Sequence, residues 1–210
     1  MFPNLIRPAG FGSVAVSGGS MSYSTAIAPT QGRTGFTTVV STVQDDNNYP
    51  LGDIGFDFPL YGSLYRTNIV AGSNGYITFG FGSSAYSGLS RTFPGRALMV
   101  AAADHSWSYL GLKIATGSFQ VRWEGQYFRG SDASSVFIWE VTFFPNGVIQ
   151  LALDACPASL GGATVSSLTK GDNVTFTDYV PNIASARNSF VFTPNDAAGN
   201  SHTVQTGSYA

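Results

Sequence analysis

The chain has 210 residues, enough for one large β-sandwich with a substantial buried core. Hydrophobic residues make up 43%, which excludes a disordered chain. Only 10% of residues are charged, against about 25% in an average soluble protein, so the surface is short of the charges that keep proteins apart. The formal net charge of −2 offers no basic excess to a polyanion, and nucleic acid is not an expected partner.

Residues 1–34 are rich in Gly, Ser, Ala and Pro and carry almost no charge. No apolar stretch follows a basic start, so no signal peptide is expected, and the segment reads as an N-terminal arm. No helical period is evident, because Gly, Ser, Asn or Pro interrupts nearly every window of ten. Short β-rich runs between turn signals recur instead. The first is Phe36 to Val43 and the second Ile54 to Phe58. Tyr76 to Phe79 follows a Ser73-Asn74-Gly75 turn. Ala97 to Ala103, apolar on both faces, reads as a fully buried strand. It is also the longest apolar run, far below the ~20 residues of a membrane helix.

Phe119 to Glu124 alternates, with Phe119, Val121 and Trp123 on one face and Gln120, Arg122 and Glu124 on the other. The clearest element is a hairpin of Ser135 to Phe144 and Val148 to Leu153. Pro145-Asn146-Gly147 joins its strands, and Asn-Gly suggests a tight primed turn. Ala163 to Ser166, Val174 to Phe176 and Ser189 to Phe192 read as later short strands. Residues 194–210 are polar and turn-like at first and read as a C-terminal tail. The predicted fold is all-β, an antiparallel sandwich or jelly-roll-like domain over 35–193 with extended N- and C-terminal arms.

The middle of the chain resembles the nidogen-like family of extracellular β modules and its relatives in bacterial surface and phage proteins. The carrying residues run in order. An acidic stretch, Gln44-Asp45-Asp46-Asn47-Asn48, comes first. Ile54-Gly55-Phe56-Asp57-Phe58-Pro59-Leu60-Tyr61-Gly62 is similar to the family's aromatic strand and turn, and Ser73-Asn74-Gly75-Tyr76-Ile77-Thr78-Phe79 to its next strand. Met99 to Asp104 lies where the family ends an apolar strand in Trp-Asp; Asp104 is present, but Ala103 replaces the Trp. Phe119 to Glu124, the hairpin Phe143 to Leu153 and the turn Leu168 to Asn173 complete the series. The resemblance covers roughly residues 35 to 193. It implies a sandwich used for adhesion or assembly, with no catalytic residues to carry over.

The chemistry-bearing residues are few. Asp104-His105-Ser106 contains triad residue types, but neighbours on a strand point to opposite faces and form no relay. The plainer reading is an inward Asp and an edge His. Cys156, the lone cysteine, makes no internal disulfide and reads as a buried or incidental thiol. Asp104, Glu124 and Glu140 are carboxylates that nothing in the sequence pairs. No enzyme and no cofactor are expected. Asp45, Asp46, Asn47, Asn48 and Asp53 form an oxygen-rich loop with two readings. One is a turn capped by its own side chains. The other is a calcium site, with Asp45, Asp46 and Asp53 as carboxylate ligands. Trp107, Tyr109, Trp123 and Tyr127 are either core aromatics or platforms for a glycan. Asn173-Val174-Thr175 fits the glycosylation sequon, meaningful only in a eukaryotic secretory protein.

Three observations are then joined: the resemblance to extracellular modules, the lack of a visible export signal, and a charge-poor surface with terminal arms. A bacteriophage virion protein accounts for all three, as a tail or fibre adhesion module or a capsid decoration protein. Its expected partners are itself, as a homo-oligomer, other virion proteins and host-surface glycans, with no membrane insertion. The alternative is a secreted bacterial carbohydrate-binding or adhesion domain, extracellular or on the cell surface.

Overall fold

The computed structural model describes residues 32–92, 95–127, 136–155, 165–179 and 188–208. Among them are sixteen strands and no helix. In chain order the first eight are β1 (Thr37–Val40), β2 (Gln44–Asp45), β3 (Asn48–Pro50), β4 (Phe58–Leu60), β5 (Ser63–Tyr65), β6 (Ile69–Gly72), β7 (Tyr76–Phe79) and β8 (Ala97–Ala102). The remainder are β9 (His105–Ala115), β10 (Ser118–Tyr127), β11 (Val136–Phe143), β12 (Ile149–Ala155), β13 (Val165–Thr169), β14 (Phe176–Asp178), β15 (Asn188–Pro194) and β16 (His202–Ser208).

The larger sheet has the order β1-β9-β10-β11-β12-β15-β16, and β2 also pairs with β9. The smaller sheet has the order β14-β13-β8-β7-β6-β3, and β4 and β5 form a separate ribbon. Every pairing is antiparallel. One hydrophobic core joins the two sheets. The larger contributes Trp123, Trp139, Val141, Leu151 and Phe190, and the smaller Ile77, Phe79, Leu98, Val100 and Leu168. Trp123 and Trp139 stack across β10 and β11, with centroids 5.6 Å apart and planes 9° apart. Such rings bury the largest apolar areas and hold an all-β core without disulfides. The chain is therefore an all-β sandwich, as its short β-rich runs imply.

The alternation in β10 directs Phe119, Val121 and Trp123 into this core. β8 is buried along its whole length. Its Leu98 and Val100 face the main core, while Ala97 and Met99 pack in a second cluster with Tyr76 and Leu89. That accounts for a run apolar on both faces.

Three local expectations are corrected. Of Ile54 to Phe58, only Phe58 is strand, because Gly52 and Gly55 have φ of +77° and +90° and break the extended run. The hairpin keeps its expected strands, pairing Val141 with Leu151 and Phe143 with Ile149. Its turn, however, has positive φ at Gly147 and not at Asn146. Gly147 N–H donates to Phe144 O at 3.0 Å, and Phe144 N–H to Val148 O at 3.1 Å. This is the three-residue loop that ends in a left-handed glycine, in place of the two-residue primed turn. Last, residues 202–208 are no tail, because they pair with β15 over seven consecutive positions. The polar stretch before them is the loop of that hairpin. Asp196 Oδ1 accepts Ala198 N–H at 2.9 Å and Asn200 N–H at 3.2 Å, and Asn195 N–H donates to Ser201 O at 2.9 Å.

Candidate functional site

Two sheet-to-sheet crossings lie side by side. At the first, β2 on the larger sheet runs into β3 on the smaller through Asp46 and Asn47. At the second, β8 on the smaller sheet runs into β9 on the larger through Ala103 and Asp104. The turn Ser73-Asn74-Gly75 joins them. Ser73 Oγ accepts Asn47 N–H at 2.9 Å, and Ser73 N–H donates to Asn47 O at 2.9 Å. The Asn74 amide donates to Asp46 Oδ1 at 3.0 Å and to Ala85 O at 3.2 Å, while its Oδ1 accepts His105 N–H at 2.9 Å. Gly75 has φ +78°, and a Cβ there would lie 2.9 Å from Val100 O. Glycine is required at that position on both counts.

This corner gathers three carboxylates. Asp45, Asp46 and Asp104 each present an oxygen within 4.8 Å of the others. Asp46 has φ +46°, a conformation that Asp tolerates better than most residues. Asp53 lies elsewhere: its carboxylate accepts Gly55 N–H at 2.8 Å and pairs with Arg66 at 2.9 Å, which holds its pKa below the usual carboxylate range. Of Asp45, Asp46 and Asp53, the structure brings the first two together, with Asp104 beside them, and places Asp53 apart.

A second polar group occupies the face of the larger sheet turned away from the core. Arg122 is 2% exposed. It donates to Glu124 at 2.6 Å, to Glu140 at 2.5 Å and to Asp154 at 3.2 Å. Arg33 donates to the other oxygen of Glu124 at 2.6 Å and lies over the Tyr109 ring, 4.0 Å from its centroid. Burial works against the charges of Arg122 and Glu124. Hydrogen bonds to Glu124 and Glu140 outweigh it for Arg122 and raise its pKa, and hydrogen bonds from Arg33 and Arg122 outweigh it for Glu124 and lower its pKa. The pairing was latent in the alternation of β10. Finding it needs the β10–β11 register, which sets Arg122 opposite Glu140. Both glutamates are thereby ion-paired to arginine.

Asp104 and His105 reverse their expected places. His105 is fully buried against Trp123 and Phe137, and Asp104 is only half-buried. Ala101 has φ +45°, so the strand does not alternate regularly into Asp104 and parity counted from β8 fails. Burial lowers the His105 pKa, against backbone hydrogen bonds to Ala101 and Gln126. Trp107, Tyr109 and Trp123 are at most 1% exposed. Trp107 Nε1 donates to Gln44 at 2.9 Å. These three rings belong to the packed molecule and present no face on which a sugar stacks, which corrects the platform reading. Cys156 and the Tyr127 side chain lie outside the described residues. Asn173 has φ +59° in the turn before β14, where Asp172 accepts Val174 N–H and Thr175 N–H and is held at a pKa of about 2.

Fold and corner together define a two-sheet antiparallel module whose distinctive polar residues knit its sheet crossings. Residues 20–194 match the NIDO related family, and the chain belongs to that family. The membership points to an extracellular module. No curated protein and no solved structure matches the chain.

Proposed function

We propose that the chain is a non-enzymatic structural protein of a bacteriophage particle, a tail or fibre adhesion module or a capsid decoration protein, working by homo-oligomeric packing. One observation carries the reading. β16 ends the larger sheet, and no described strand lies beyond it. Its sequence, His202-Thr203-Val204-Gln205-Thr206-Gly207-Ser208, contains no Lys, Arg, Asp, Glu or Pro. Its register with β15 is unbroken by a bulge. Edge strands of proteins that remain apart are usually blunted by charge, proline, bulges or shortness. This one keeps the features of a strand that accepts another strand beside it.

The charge supply supports the same reading. Against ten Lys and Arg and twelve Asp and Glu in the whole chain, Arg122, Glu124 and Glu140 are buried. The surface is thus poorer in charge than composition alone implies. Sedimentation velocity on the purified chain tests the proposal, together with detection of the protein in purified virions. A stable monomer at high concentration that is missing from virions refutes it.

The extracellular character of the family favours a second reading, a secreted bacterial adhesion domain. Sugar-specific binding by the isolated monomer on a glycan array separates the two. Burial of Trp107, Tyr109 and Trp123 removes those rings as its basis.

A further inference from the structure

We infer that the Asp45–Asp46–Asp104 corner is a calcium site, with the Ser106 hydroxyl as its inner wall. The inference is independent of the assembly reading. Calcium takes six to eight oxygen ligands at about 2.3–2.6 Å, so two oxygens on one ion are at most roughly 5 Å apart. The three carboxylates satisfy that limit pairwise, with oxygens within 4.8 Å of one another. One ion can therefore take one oxygen from each of the three, with water in its remaining positions.

The second observation is Ser106. It is 1% exposed, and its Oγ is buried without a hydrogen-bond partner. The register places Ser106 directly across from Asp45 on β2. Cross-strand partners project to the same face with Cβ atoms about 4.5–5.5 Å apart, so this hydroxyl is directed to the side on which the Asp45 carboxylate stands. Its neighbour Trp107 pairs with Gln44 and faces the core, which fixes Ser106 on the opposite, acidic side. A buried hydroxyl left without a hydrogen-bond partner destabilises the folded state. A calcium ion, or a water bound to it, gives that oxygen an electrostatic partner.

The position of the site sets its role. Asp45 lies on the larger sheet, Asp46 at the crossing to the smaller sheet, and Asp104 at the return crossing. An ion held by all three ties both crossings, adding to the bond that Asn74 makes with Asp46. Carboxylates and a hydroxyl are hard oxygen donors, and among the described residues no His or Cys joins the cluster. A hard ion is thus favoured over zinc. Flexible geometry at a sheet corner suits calcium better than magnesium, which demands a near-ideal octahedron.

The test is a terbium titration of the full chain, read by emission sensitised through Trp107, whose indole is bonded to the residue preceding Asp45. Saturable emission, displaced by calcium with a dissociation constant of roughly 0.1–1 mM, is expected. Asp104→Asn and Asp45→Asn should each weaken binding at least about tenfold, and Ser106→Ala several-fold. Asp53→Asn, outside the cluster, should leave it unchanged. Calcium at about 10 mM should also raise the melting temperature of the wild-type chain. Two results overturn the inference: no saturable emission from folded wild-type protein, or the same affinity in wild type and in whichever of the two carboxylate variants folds.

Discussion

Asn74 and Asp46 are joined by a hydrogen bond of 3.0 Å, and through it one buried amide ties the turn before β7 to the crossing from β2 to β3. The same side chain accepts the backbone N–H of His105 at the opposite crossing. Asn74→Ala leaves that buried N–H without its acceptor and frees Asp46. A loss of about 2–4 kcal/mol is expected in urea denaturation, from one stranded backbone donor and the lost bonds to Asp46 and Ala85. Asn74→Asp retains the acceptor but sets a like charge against Asp46, and should be no more stable than the alanine variant.

Gly75 beside it admits no side chain. Its φ is +78°, and a Cβ would meet Val100 O at 2.9 Å. Gly75→Ala should cost at least about 1–2 kcal/mol from the left-handed backbone alone, before any clash. Gly88, with φ +68° and open space around it, is the control. Gly88→Ala should bear the backbone cost only and melt well above Gly75→Ala.

The Arg122 cluster behaves as a unit. Arg122→Ala removes the cation that Glu140 and Glu124 share, although Glu124 keeps Arg33, and should destabilise by about 3–5 kcal/mol. Glu140→Ala leaves Arg122 bonded to Glu124 and Asp154 and should cost less. Replacing both Arg122 and Glu140 with apolar residues of similar volume should recover a large part of that loss. A double-mutant cycle in guanidinium measures the coupling. Independent, additive losses would show that the close contacts carry no joint energy.

Acid should weaken the fold through His202. Burial lowers its pKa to about 4, against a reference of 6.5. A buried neutral histidine stabilises the folded state fully above pH 6.5. That contribution falls as pH drops below 6.5, because the unfolded chain takes up the proton first, and it is gone once the folded form also titrates near pH 4. The difference is on the order of 3 kcal/mol. Glu124, with a lowered pKa, adds a loss in the same direction at lower pH. Burial also lowers the pKa of His105, which acts in the same direction, so in a melting series from pH 7 to pH 4 His202→Gln should flatten the slope between pH 6.5 and 5 without abolishing it.

Local features of this chain are legible in its sequence, whereas those that depend on strand pairing are not. Phe119, Val121 and Trp123 were legible as a core face because period-two alternation is a property of one strand. The burial of Ala97 to Ala102 was legible because a continuous run apolar on both faces is also a property of one strand. Asp104 and His105 were misread because the positive φ of Ala101 upsets that period just before them. The strand β16 was missed because Asp196-Ala197-Ala198-Gly199 looks like an ending when it is a hairpin loop; Tyr61 N–H donates to Gly199 O at 2.7 Å and seats the loop on the ribbon of β4 and β5. Asp104 joined Asp45 and Asp46 only through the pairing of β2 with β9, a contact across about sixty residues that no spacing rule reveals. The Arg122–Glu140 pairing was hidden in the same way.

The proposed assembly uses the β16 edge, beyond which no described strand lies, and sedimentation velocity across a concentration series is its most direct measure. The wild-type chain should form discrete oligomers. Gln205→Lys with Thr206→Lys, both exposed on that edge, should shift it to monomer while the fold, followed by circular dichroism, is kept. A wild-type chain that stays monomeric at every concentration, or oligomers untouched by the two lysines, would contradict the account.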